Sequence, residues 1–406
     1  MGFGKSKNRR GLLYLLTIIV LLSGCGAGKP HTADIMTLDV EEYVSLQSDN
    51  TEDIPTDGSE DAAEEAEQSP EPIQPYTIVY TGDVCLHSGV EHTYLTSGVD
   101  GMIGEKLLGD LTGADYTVIN HEFCFSTGGT KQDKTYTFRA DPQNVTLLNE
   151  MGVDLASLAN NHALDYGTEA LSDTFLALDG AGIAYMGAGE TVERAAELIT
   201  VETNGYTLGF LAASRVYPSA QWSVTNRQPG MLSAYDPDYL AKIVEEKAAQ
   251  CDYLMVYLHW GVEKAERPEQ YERSLAQVLI DGGADAVIGS HPHVLQGVEF
   301  YKGKPIFYSL GNFVFNASIG RTAFLRATVD FEAAAAESAE DLSDYVVWQM
   351  IPCSTVGYCT EEITDPDTRL SFYEYMQSIS YDVSYDTATG TVMDAGWGEG
   401  HATGVY

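Results

Sequence analysis

His291-Pro292-His293 sets two imidazoles on either side of a rigid proline, and this arrangement is hard to explain by packing alone. Elsewhere the chain offers Asp83 after a glycine, Glu122 in Asn120-His121-Glu122, Asn161 and His162 in Asn160-Asn161-His162, and His259 before Trp260-Gly261. Carboxylates, imidazoles and hard oxygen donors are what a hydrolytic centre needs to hold two cations about 3.5–4 Å apart, and these types suit Mn, Zn, Fe or Mg. Taken singly, each residue has an ordinary reading. Gly82-Asp83 is a common turn, His162 is equally a helix-capping or core histidine, and His259 fits a packed, hydrogen-bonded ring. Taken together they make a ligand set. Arg139 is the one cation to place near an anionic substrate, because its planar fork matches carboxylate or phosphate; a surface salt bridge is the competing reading.

These side chains need elements that converge. Tyr76–Thr81 and Tyr116–Ile119 are β-branched and aromatic runs, Asp154–Leu158 and Tyr253–Leu258 are short buried runs, and Ala286–Ile288 leads into Gly289-Ser290. Each polar cluster falls just past the C-terminal end of one of these strands, the edge where open α/β sheets bind ligands. Helices are expected from Asp141-Pro142 to about Met151, over Thr168–Asp179, from Asp236-Pro237 to about Gln250, near Pro268–Ile280 and near Arg369–Ser378. Asn204-Gly205 and Lys302-Gly303 read as hairpin turns. Further strands are expected near Ala323–Phe331 and Tyr345–Pro352, and the tyrosine-rich C-terminal part reads as packing. Strand–helix alternation interrupted by hairpins implies α/β with mixed sheets.

Six blocks carry a resemblance. They are Gly82-Asp83-Val84; Asn120-His121-Glu122; Asn160-Asn161-His162-Ala163-Leu164-Asp165-Tyr166-Gly167; His259-Trp260-Gly261-Val262-Glu263; Gly289-Ser290-His291-Pro292-His293-Val294-Leu295-Gln296; and Lys304 through Phe313. In this order the chain resembles the poly-γ-glutamate capsule-synthesis (CapA) family, a branch of the calcineurin-like metallophosphatase fold, over roughly Tyr76 to Phe331. The resemblance implies a four-layer sandwich of mixed sheets flanked by helices, and a centre for one or two divalent ions, Mn, Zn or Fe. It implies that Asp83 and His293 hold the first metal, that Glu122 bridges, and that Asn161, His259 and His291 hold the second. His162 becomes the general acid, and Asp165 and Arg139 join it as catalytic residues. Cys85 stands where metallophosphatases usually carry a histidine, and Glu122 replaces a bridging aspartate, so the first site is expected to be depleted. The implied role is in biosynthesis or export of a capsule or other anionic surface polymer, beside a membrane synthase. The implied chemistry is metal-dependent hydrolysis of the phosphoesterase type; the alternative is a non-catalytic assembly or polymer-anchoring factor.

Lys5, Lys7, Arg9 and Arg10 precede an apolar run, Leu12–Leu22, of signal-peptide rather than membrane-spanning length. Leu22-Ser23-Gly24-Cys25 resembles a bacterial lipobox, which implies lipidation of Cys25 and a place on the outer face of the cell membrane. Residues 26–75 are acidic and poor in aromatics, and are expected to form a disordered tether spanning about 40 Å. The division that follows is a domain over 76–331 and a C-terminal extension over 332–406. The chain carries 22 Lys and Arg against 60 Asp and Glu, a net charge of −38, which argues against nucleic acid as a partner. Cys353 and Cys359 are close enough in sequence to close a small disulfide loop.

Overall fold

Tyr76–Val84 (β1) alternates threonines with aliphatic and aromatic side chains, and every residue from Ile78 onward is buried. In the computed structural model, which describes residues 73–339 and 341–396, this strand lies inside the first of two large sheets. Tyr116–His121 (β2), Leu155–Ser157 (β3) and Ala184–Met186 (β4) follow it in parallel register. The chain then crosses to the second sheet with Ile199–Thr203 (β5), Tyr206–Ser214 (β6), Tyr253–His259 (β7), Ala286–Ser290 (β8), Val298–Tyr301 (β9) and Lys304–Phe307 (β10). It returns with Asn312–Val314 (β11), Thr322–Val329 (β12), Val346–Val356 (β13) and Cys359–Glu362 (β14). The first sheet runs β14-β13-β12-β1-β2-β3-β4, with β11 beside the end of β1; the second runs β9-β10-β8-β7-β6-β5. Both are mixed: β12 to β14 and the two hairpins are antiparallel, and the strands carrying the polar clusters are parallel.

Both hairpin turns form where the sequence puts them. Asn204-Gly205 and Lys302-Gly303 each supply two consecutive residues at positive φ, which a type I′ turn requires.

Alternation along β6, β7 and β8 gives the second sheet two apolar faces. Phe210, Tyr253, Met255, Tyr257 and Ile288 pack toward Tyr80 and Leu325 of the first sheet. Leu211, Leu254, Val256 and Val287 pack against Pro237–Ala248 (α4) and Gln270–Asp281 (α5). On the far side of the first sheet lie Gly89–Ser97 (α1), Glu105–Thr112 (α2) and Gly167–Ala181 (α3), which bury Leu107, Leu111, Leu171 and Phe175 in the same core as the inter-sheet residues. The result is helix, sheet, sheet, helix. Tyr80 Oη meets Met255 Sδ at 2.6 Å, and Tyr257 Oη donates to the Thr81 carbonyl at 2.9 Å, so polar contacts also tie the sheets together.

A boundary at 331/332 falls between two paired strands of the first sheet. β13 pairs with β12 along eight residues, from Thr322↔Cys353 to Val329↔Val346, and Pro366–Ile379 (α6) buries Phe372, Tyr373 and Met376. The disulfide expectation is corrected here. Register puts Cys353 opposite Glu362 and Cys359 opposite Val356, so the two cysteines occupy different rungs and both are free thiols. Cys353 is buried, and burial pushes its thiol up. Unreduced protein lacking its first 69 residues should therefore titrate five thiols after unfolding in denaturant; three would restore the disulfide. The leader, Cys25 and nearly all of the acidic stretch lie outside the described residues.

Candidate metal centre

The close approach of two backbones aims Asp83. A Cβ on Gly82 would stand 1.9 Å from the Gly311 carbonyl oxygen, and the Asp83 amide donates to that oxygen at 2.9 Å. Only glycine fits there. Parallel pairing sets Asp83 beside Asn120, whose Nδ2 donates to Asp83 Oδ1 at 2.8 Å. Glu122 follows the end of β2, and Asn161 lies just beyond β3. From the second sheet come His259, the last residue of β7, and His291 and His293 just past β8. His291 and His293 have φ of 102° and 58°, conformations that non-glycine residues rarely adopt and that tend to gather at functional sites.

Six residues predicted as ligands converge. Ligand atoms of Glu122, His259 and His291 lie within 4.8 Å of one another, and so do those of Asp83, Glu122 and His293. Glu122 is common to both groups. His259 Nε2 lies 2.8 Å from Asn161 Oδ1, and its Nδ1 lies 3.0 Å from Ser290 Oγ. His293 Nδ1 lies 2.7 Å from Asn312 Oδ1 and 3.2 Å from Asp83 Oδ2. Ser290, on the nitrogen of His259 that faces away from Glu122, is an outer partner of the kind that fixes imidazole orientation around a metal.

The electrostatics suit a cation. Both Glu122 oxygens and His291 Nδ1 are buried without a hydrogen-bond partner, at a cost in free energy that an ion would offset. Burial, then the charge of Asp83, pushes the Glu122 carboxyl well up. Burial lowers His291 to about 4 and His259 well below its ordinary value, each reinforced by neighbouring imidazoles, which keeps both neutral as ligation requires. His293 is partly buried, which lowers it, but the carboxylates of Glu122 and Asp83 outweigh that and raise it to about 9.

Beside these groups, His162 stacks on Phe138 at 4.3 Å between ring centroids. Its Nδ1 lies 2.6 Å from Asp165 Oδ2, and its Nε2 lies 3.9 Å from Glu122 Oε1. Asp165 also accepts from the Phe138 amide, at 2.6 Å, and from Lys134 Nζ, at 2.7 Å. Asp165 is therefore placed to orient His162 rather than to touch a substrate. Burial lowers His162, and Asp165 opposes that shift.

Arg139 lies elsewhere. Its guanidinium covers the Tyr166 ring at 4.0 Å and donates to the Gly128 carbonyl at 2.9 Å, so its fork is already engaged. Lys134 is the cation beside the site, held by Asp165 and the Asn161 carbonyl. No sequence signal marks it, since it sits in an irregular loop. Asn312 and Ser290 were findable, because they stand inside two of the matched blocks. Cys85 borders the cavity beside His162 but belongs to neither ligand group, and burial pushes its thiol well up.

Residues 77–317 match the family model described as bacterial capsule synthesis protein PGA_cap. The capsule biosynthesis protein CapA of Bacillus anthracis is 33% identical over 254 residues, covering 61% of each chain. The PGA biosynthesis protein CapA of Bacillus subtilis strain 168 is 31% identical over 246 residues, 60% of this chain and 64% of that one. A probable polyglutamine synthesis accessory protein of Mycobacterium tuberculosis H37Rv is 33% identical over 214 residues, 50% of this chain and 56% of that one. The match thus spans less than two thirds of each relative. Among solved structures, a phosphatase from Mycoplasma pneumoniae overlaps with a TM-score of 0.42 at 12% identity, covering 69% of this chain and 93% of that one.

Proposed function

Because this chain belongs to the bacterial capsule synthesis family PGA_cap, we propose that it acts on an anionic surface polymer of the poly-γ-glutamate or capsule type, through a divalent-metal centre. Asp83, Glu122, Asn161, His259, His291 and His293 would hold one or two ions of Mn, Zn or Fe, Glu122 being common to both ligand groups. The observation that carries this reading is the buried Glu122 carboxylate, with neither oxygen hydrogen-bonded, among three imidazoles and a second carboxylate. When bound, the metal supplies Lewis acidity at a phosphoester or amide bond and acidifies water. The protein supplies the proton chemistry. Asp165 Oδ2 accepts a hydrogen bond from His162 Nδ1–H, which turns Nε2 toward the centre; in the imidazolium form, with Asp165 as its counter-charge, Nε2 carries the proton that passes to a leaving oxygen. Phe138 holds the ring face and Lys134 holds Asp165.

The basic leader and the lipobox-like Leu22-Ser23-Gly24-Cys25 support a lipid-anchored position on the outer face of the membrane, beside the polymer-synthesis machinery. Metal analysis by mass spectrometry on Mn- and Zn-treated protein, with a His291→Ala control, tests the centre. One or two transition ions per chain are expected, with loss in the control. None in folded protein would overturn it. A second reading, a non-catalytic assembly factor, is favoured by the likeness to the mycobacterial relative, a probable accessory protein of polyglutamine synthesis. Full restoration of polymer export by an Asp83→Ala, His291→Ala variant would establish that reading over the enzyme.

A further inference from the structure

Two cavities, of about 370 and 350 Å³, meet at the candidate metal centre and share His293 and Lys264 as walls. The smaller one holds His162 among Tyr136, Phe138 and Phe315, and is aromatic. The larger, away from His162, is bordered by Arg321, Tyr375 and Glu266.

Lys264 is placed by its backbone. It has a φ of 65°, and its amide donates to the Pro292 carbonyl at 2.8 Å, between the two histidines of that loop. Arg321 stands just before β12, with its guanidinium 4.4 Å from the centre of the Tyr375 ring. Among the described residues neither cation is ion-paired with a carboxylate. Glu266, the acid in the same cavity, is hydrogen-bonded to the Tyr375 hydroxyl. With 22 Lys and Arg facing 60 Asp and Glu, cations are scarce in this chain. Two unpaired ones on a single cavity beside His293 imply a ligand of opposite charge.

We infer that Lys264 and Arg321 form an oxyanion clamp that holds a carboxylate or phosphate group of the polymer on the side of His293 away from His162. The Arg321 fork suits bidentate contact, and Lys264 adds a point charge at the mouth shared with the centre. An anionic group seated there positions the neighbouring bond over the centre, with His162 on its other side. The clamp also reconciles a strongly acidic surface with an acidic polymer, because attraction is confined to one local site. This inference rests on the reading given under Proposed function.

The test is fluorescence anisotropy with the Mn-loaded full chain and a labelled γ-linked oligoglutamate, alongside its uncharged γ-linked oligoglutamine counterpart. Short-chain polyphosphate serves as competitor, and metal content is measured on every sample. Lys264→Gln and Arg321→Gln are each expected to weaken oligoglutamate binding about tenfold, with metal content unchanged and the uncharged oligomer bound poorly by all. Polyphosphate binding that depends on Lys264 and Arg321, without affinity for oligoglutamate, keeps the clamp and assigns it to phosphate. Unweakened binding in both variants with metal in place overturns the clamp and leaves the centre standing. Equal binding of the uncharged oligomer also overturns it. Wild-type protein that takes up no metal brings down the centre and the clamp together.

Discussion

Exchanging Glu122 for glutamine is expected to stabilise the metal-free protein and to abolish its stabilisation by metal. In the metal-free chain this carboxyl is buried beside Asp83 with no hydrogen bond to either oxygen, so its charged form is strongly disfavoured. The folded state keeps the proton to higher pH than the unfolded state does. Wild-type stability in the absence of metal therefore falls as pH rises above the ordinary carboxylate range toward the raised folded value. Glutamine removes that loss. The gain should be on the order of 2 kcal/mol at pH 8 and should vanish near pH 4, where both states are protonated. With metal the order reverses. An ion at a thousand times its Kd adds about 4 kcal/mol to the wild type, and the variant gains little. Denaturant midpoints with and without Mn, at pH 4 and pH 8, give both quantities. A variant that is weaker than wild type without metal at pH 8 would make Glu122 an ordinary structural acid and sink the metal reading.

The second large effect concerns His162. On any substrate the Mn-loaded protein turns over, His162→Gln should lower kcat by about 10²–10⁴, the usual range for losing a positioned general acid. Metal content should stay at the wild-type value, because Nε2 lies 3.9 Å from Glu122 and the ring belongs to neither ligand group. Asp165→Asn should follow it closely, since an amide in place of Oδ2 no longer fixes which ring nitrogen carries the proton. A loss of activity that tracks a loss of metal in either variant would show these residues supporting the centre instead of moving a proton.

Much of this arrangement is legible in the sequence because each ligand follows a strand whose apolar run is unmistakable. Tyr253–His259 is entirely buried, and its last residue is a candidate ligand. Asn204-Gly205 specifies its turn chemically, since both residues tolerate positive φ. What escapes sequence reading is decided by neighbours distant in the chain. The helix Gly89–Ser97 lacks a clear apolar stripe, neither it nor Glu105–Thr112 has a side-chain cap, and Gly109 interrupts the second; tertiary packing holds them. Arg139 has the right chemistry for an anion, but Tyr166 lies against its face. Lys134 reaches His162 only because an irregular loop folds over Asp165. The two C-terminal cysteines are close in sequence, yet hairpin register sets them on different rungs.

Asp83, Glu122 and Asn161 come from one sheet, and His259, His291 and His293 from the other. An ion gripped by both sets is thus a rivet through the seam of the sandwich, joining positions that run from residue 83 to residue 293. Because the site exists only where the two sheets meet, the ion would bind the folded state alone and tie the two halves into one mechanical unit. A chelator would draw the rivet, and the sheets would then be free to open one before the other, with amide exchange at the seam as the first sign.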